Sequence, residues 1–227
     1  MTELTSIKLL HLLQISNSAL PIGAYSYSEG LETLIELQII KDANDLKSWL
    51  IQELKYGAIR TETAVMTRAF QATQRLDLCT FKSWNNWFSA ARETEEMRQQ
   101  SWQMGYSLLR LIEQIEPATS HLVQACGNPC NYAVAFGTIT AYWEIDLTAA
   151  TLAYLQSWAL NLINAAVKLI PLGQTTGQKL LLDLNCIITT ATEEILDLQD
   201  DDLCSCGWGL SLASMNHEIL YTRLFRS

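Results

Sequence analysis

Histidine is scarce in this chain: three residues, His11, His121 and His217, lie far apart in 227. Neither the G-x-S-x-G turn of a nucleophilic serine nor the Gly-rich loop with Lys-Ser/Thr of a phosphate site is present. Acid–base and nucleophilic catalysis therefore have little to stand on. Charge is also scarce, at 17% of residues, and the net charge is −9. Without a basic stripe there is nothing to neutralise phosphates, which argues against nucleic acid and disfavours an anionic membrane surface. The N-terminus, MTELTSIKLLHLLQ, lacks the cationic start and small-residue cleavage site of a leader. Six cysteines in such a chain read as reduced thiols of a cytoplasmic protein. No C-x-x-C pair, internal repeat or low-complexity stretch is present.

What the chain does have is apolar material, 49% of residues, enough for a large core and for some surface given to partners. Leu147–Val167 runs for 21 residues without a charged side chain. It is long enough to span a bilayer. It carries Thr148, Thr151, Gln156, Ser157, Asn161 and Asn164 and lacks basic flanks, so it reads as a buried helix. We take it as the element around which the chain packs. A lone cation, Lys168, follows it, then a break at Pro171 and Gly173.

Nearly every other segment repeats at helical period. Leu9, Leu10, Leu12 and Leu13 form a short amphipathic helix before the loop Ser16–Tyr27. Ser28 is a candidate N-cap for Leu31–Leu37. Asp42, Asn44 or Asp45 caps a helix in which Leu46, Trp49, Leu50, Glu53, Leu54 and Gly57 recur at three and four. The pattern continues through Thr61–Arg75, and Gly57 bends or interrupts this pair. Asp77 opens a helix with Phe81, Trp84, Trp87 and Phe88. Residues 91–115 form another, with Glu93, Glu95 and Glu96 at the end the helix dipole favours. Asn128-Pro129 precedes Tyr132–Trp143, and Gln178–Ile195 is the last long helix. Only Cys186–Thr192 approaches a strand pattern. The chain is predicted to be all-α: a single-domain multi-helix bundle over 1–202 with a partner-facing C-terminal tail over 203–227.

Two constellations suggest metals. Cys204 and Cys206 with His217 are weak candidates for a soft or borderline ion. Asp200, Asp201 and Asp202 suggest magnesium-diphosphate binding by a small helical metal-dependent enzyme. The first lacks paired C-x-x-C spacing; the second lacks a facing acidic cluster and phosphate-binding cations. Both fit simpler roles, as small apolar residues and a solvated linker. The end, Thr222-Arg-Leu-Phe-Arg-Ser, mixes cations with Leu224 and Phe225, the residue types that anchor interfaces.

Four segments in order, LPIGAYSYSEGLE (20–32), ARETEEMRQQSWQMGYSLLRL (91–111), AVKLIPLGQTTGQKLLLDL (166–184) and HEILYTRLFRS (217–227), resemble the urease accessory protein family UreF. The resemblance implies an all-α, cytoplasmic homodimer that is a maturation factor and not an enzyme. Such proteins bind UreD (also called UreH) and recruit the GTPase UreG, and the assembly delivers nickel to apo-urease. Nickel and GTP would then be handled by partners, with no cofactor bound by this chain; the alternative is a direct nickel-binding protein using Cys204, Cys206 and His217. The resemblance implies partner-facing residues near the N-terminus, at Tyr25, Tyr27 and Glu29, and along the tail at His217, Glu218, Tyr221, Arg223, Leu224, Phe225 and Arg226; Lys168, an isolated charge beside the Pro171–Gly173 break, and Gln174 are further partner-binding candidates.

Overall fold

The computed structural model describes residues 5–204 and 207–226, with the side chain of Trp208 left aside. Among the described residues there is no strand, and eleven α-helices follow one another: α1 (Ser6–Ile15), α2 (Leu31–Glu36), α3 (Ala43–Tyr56), α4 (Ala58–Gln74), α5 (Leu78–Ala91), α6 (Glu95–Ile115), α7 (Ser120–Cys126), α8 (Tyr132–Tyr142), α9 (Leu147–Leu169), α10 (Gln174–Asp197) and α11 (Trp208–His217). The all-α expectation holds.

Helix starts follow from short polar side chains that satisfy otherwise unpaired first-turn N–H groups. Asp42 accepts from the amides of Asn44 and Asp45, at 2.7 and 3.1 Å. Asp77 accepts from Thr80 at 3.0 Å and Asp146 from Ala149 at 3.2 Å. Two expected starts are displaced. Gly30, not Ser28, precedes α2; its φ of +79° is the left-handed region that favours glycine. The helix expected from residue 91 begins at Glu95, capped by Thr94 Oγ1, which accepts from Met97 N at 3.2 Å. The intervening break turns Arg92 into the interior, where it is 6% exposed.

The most enclosed element is α8, all ten residues of which from Tyr132 to Ala141 are buried. It is packed by α4, α6 and α9. The uncharged helix α9 is a core element as expected but not the innermost one, because Thr148, Gln156 and Lys168 are not buried. Helices α4 and α8 approach closely at Gly137, where a Cβ would lie 2.3 Å from the Met66 carbonyl oxygen. Helix α3 packs on α10 and α4, and α10 lies against α9. Helix α11 packs against α2 and α6, burying Leu210 and Ala213. No described helix is long and apolar enough to cross a membrane.

Candidate partner surface and the carboxylates beneath it

The residues beyond α11 return to the helical body and are held by two glutamates. Glu32, on α2, accepts from the amides of Leu224 and Phe225 at 2.7 and 3.1 Å and faces His217 Nε2 at 3.0 Å. Glu96, in the first turn of α6, lies 3.1 Å from His217 Nδ1 and 3.2 Å from Arg223 Nη1. The Arg226 amide donates to the Ser26 carbonyl at 2.8 Å. His217 is fully buried, with a carboxylate on each ring nitrogen. One ring donates to both only as imidazolium; otherwise one carboxyl carries the proton. Burial pushes the Glu96 carboxyl up, against the charge of His217. Phe225 is buried, and the Lys168 ammonium lies 5.4 Å from its ring centroid, a cation–π contact. Lys168, the isolated cation of the sequence, thus has a partner inside its own chain.

Between α2 and α9 a smaller polar group is buried. Arg92 Nη2 pairs with Glu62 Oε2 at 2.8 Å, and Glu62 Oε1 accepts from the Tyr154 hydroxyl at 2.5 Å. Glu29 accepts from Trp158 Nε1 at 2.9 Å and Gln100 Nε2 at 3.0 Å. Burial, then the Glu62 charge, raises the Glu29 carboxyl above the usual range. These groups line a cavity of about 50 Å³, room for a water or two. The cluster links the residues just before α2 and α6 to α4, α6 and α9 through polar contacts.

The residues expected to face partners divide by exposure. Tyr25, Lys168, Gln174, Glu218, Tyr221, Arg223, Leu224 and Arg226 are exposed. Tyr27 and Phe225 lie in the main core, and His217 is enclosed between glutamates. Those three hold the segments that bear the exposed ones, because an aromatic ring or imidazole with internal partners gains nothing by facing water. Glu29 is partly exposed and bonded inward.

The described metal candidates are not brought together into a site. His217 spends both nitrogens on Glu32 and Glu96, and Cys204 is exposed, its carbonyl accepting from Thr61 Oγ1 at 2.7 Å; Cys206 lies outside the described residues. Asp200 pairs with Arg68 at 3.0 Å. Asp202 accepts from the Gln199 amide at 3.0 Å within its own turn. Among the described residues no group of three or more His, Cys, Asp or Glu side chains is placed to hold a metal ion.

The sequence pattern did not mark Glu32, Glu53, Glu62, Arg92 or Glu96 as a set. Glu32 and Glu96 each sit inside a segment that carries the family resemblance, but only the fold shows that they converge on His217, 185 and 121 residues away.

The family model for UreF matches residues 40–185. A urease accessory protein UreF from Nostoc sp. is 60% identical over 226 residues, covering 100% of this chain and 99% of the relative. This chain belongs to the UreF family. Similar relatives of that name occur in Trichormus variabilis, 58% identical over 99% of this chain and 98% of the relative, and in Synechocystis sp., 51% identical over 96% of this chain and 97% of the relative. The family is one of urease accessory proteins. Its role lies in urease maturation, as an accessory protein rather than an enzyme.

Proposed function

We propose that the chain is a cytoplasmic scaffold, working as a homodimer, that binds UreD (UreH) and recruits the GTPase UreG so that nickel reaches apo-urease. The observation that carries this reading is the end-to-end match to urease accessory proteins, which includes the tail. The described surface supports it. Ile7, Leu10 and Leu13 on α1 and Ile219, Tyr221 and Leu224 in the tail are each more than half exposed, more apolar surface at the two ends than water favours. The tail is anchored at Phe225 and leaves Tyr221 and Leu224 outside, an arrangement suited to presenting side chains without ordering them anew.

The test is co-purification of the full chain with UreD and UreG, together with urease activation in cells that carry the urease genes. Removing residues 217–227 would strip His217 from Glu32 and Glu96 as well as any partner contact. The cleaner variant is therefore Tyr221→Ala with Leu224→Ala, which changes exposed side chains alone. It is expected to lower UreD capture at least tenfold while the melting temperature holds. Unchanged capture by this variant would remove the tail from the interface. Lys168→Ala is expected to lower urease activation; if complex formation, GTP turnover and activation all stayed level, Lys168 would have no part in the coupling.

A further inference from the structure

Among the described residues, helix α3 carries a glutamate with one buried oxygen left without a partner. Glu53 lies one turn before the break at Gly57, is 8% exposed, and its Oε2 accepts no hydrogen bond from the described residues. A Cβ at residue 57 would sit 2.0 Å from that oxygen, so a glycine there is what leaves room for the carboxylate. The charged groups acting on it are Glu29, before α2, and Glu93, in the turn before α6. Helix α11, across the groove, lines it with Leu210, Leu212, Ala213 and Asn216, none of them ionisable. From α3 itself Tyr56 is the other ionisable side chain in the lining.

Glu53 stands in the wall of an open groove between α2, α3 and α11 that is otherwise largely apolar. Leu37, Ile39, Tyr56 and Leu212 line it and are each more than half exposed. A buried acceptor without a donor is costly, and exposed apolar side chains grouped around it mark a place to be covered. Charge decides the occupant. A second copy of this chain seated symmetrically would set one Glu53 against another, like charge on like. A purely apolar segment would bury Glu53 further with no compensation.

We propose that this groove docks a segment of a partner protein in which a lysine or arginine is flanked by apolar side chains, the cation meeting Glu53. The inference rests on the scaffold reading and gives that scaffold a further seat, distinct from the tail. Burial and the neighbouring carboxylates hold Glu53 up to about 7. A cation brought against it would favour the ionised form. Binding therefore releases a proton below that value and strengthens as pH rises through it.

The test places a photo-crosslinking phenylalanine analogue at Leu212 in the full chain, expressed with the urease structural and accessory genes. The expected result is an adduct with one other polypeptide, at a peptide holding Lys or Arg between apolar residues. With that partner purified, affinity should rise about tenfold between pH 6 and pH 8, and Glu53→Gln should flatten the slope. Glu53→Gln is nearly isosteric, and a melting curve checks that it folds; Leu212→Asp, on the exposed rim, should weaken binding independently. An adduct with a second copy or a lipid, a captured peptide without a cation, no adduct, or a pH slope unaltered by Glu53→Gln would each overturn the proposal. Urease activation in the same cells separates the two readings. Activation without a groove adduct ends the groove proposal alone, whereas a chain that neither activates urease nor captures UreD and UreG ends the scaffold reading.

Discussion

At the scale of single residues, the charges inside this protein set how its stability responds to pH. Glu53 is the clearest case, with a carboxyl raised from 4.5 to about 7 by burial and by Glu29 and Glu93. Its folded value lies above its unfolded one. Whatever it contributes is therefore fully present below about pH 4.5 and is lost as pH rises through 7, because the unfolded chain ionises first. The loss is on the order of 3 kcal/mol. Glu53→Gln is expected to remove that slope, so denaturant midpoints of the variant should gain on the parent between about pH 5 and pH 8. A parallel pH dependence in the two would show that Glu53 is not strained as described. The second case is Arg92. Arg92→Met leaves Glu62 buried with only the Tyr154 hydroxyl, and should cost about 3–5 kcal/mol; Arg92→Met with Glu62→Gln should recover part of it, which a double-mutant cycle reads directly. Glu53 was visible in the sequence as a carboxylate on an otherwise apolar helical face, and Lys168 as a cation after an uncharged run. Arg92 was not, since in a charged stretch nothing distinguishes the one arginine that a break in the helix will turn inward.

At the scale of helices, period and punctuation revealed most of the fold. Asp42, Asp77 and Asp146 mark starts because a short acceptor can reach back to the first-turn amides. Ser28 is displaced from the cap position because Gly30 supplies a backbone angle that no side-chain signal announces, although Ser28 Oγ still accepts from the first-turn amide of Glu32 at 3.4 Å. What local pattern could not rank was depth. Both α8 and α9 read as core, but α8 is enclosed on every side because α4 approaches it at backbone range, and close approach depends on which helices become neighbours. Gly137 carries that contact. Gly137→Ala would drive a methyl against the Met66 carbonyl, 2.3 Å from the Cβ position, and overpacking of this kind costs about 1–3 kcal/mol or more. A thermal melt is expected to shift down, although alanine is the better helix former; an upward shift would mean that α4 and α8 can part without loss.

At the scale of the whole molecule, the far end of the chain is fastened to residues near its start. Glu32 and Glu96 act as one receptor for the imidazole of His217, the Arg223 guanidinium and two backbone amides. Lys168, from the end of α9, lies over the Phe225 ring that this fastening places. Matching segments of the sequence pointed to these stretches as important without saying that they touch. The four stretches of family resemblance are the parts the fold draws together here: Ser26 and Glu32 in the first, Glu96 in the second, Lys168 in the third and the tail itself. The helical body has its own apolar core in α3, α4, α8, α9 and α10, so the fastening should open without unfolding it. His217→Ala removes a group bonded to both glutamates, and bonds to charged partners are worth about 1.5–3 kcal/mol each. The amides of Leu224, Phe225 and Arg226 should then exchange roughly ten- to a hundredfold faster, while those of α8 keep their protection and the circular dichroism of the body is unchanged. Equal acceleration in α8 would make the tail part of one cooperative unit with the core; no acceleration at residues 224–226 would mean that Phe225 and Glu32 hold the tail without His217. Only the first pattern, local release over an intact body, leaves a tail that can be tightened or freed by whatever binds beside it.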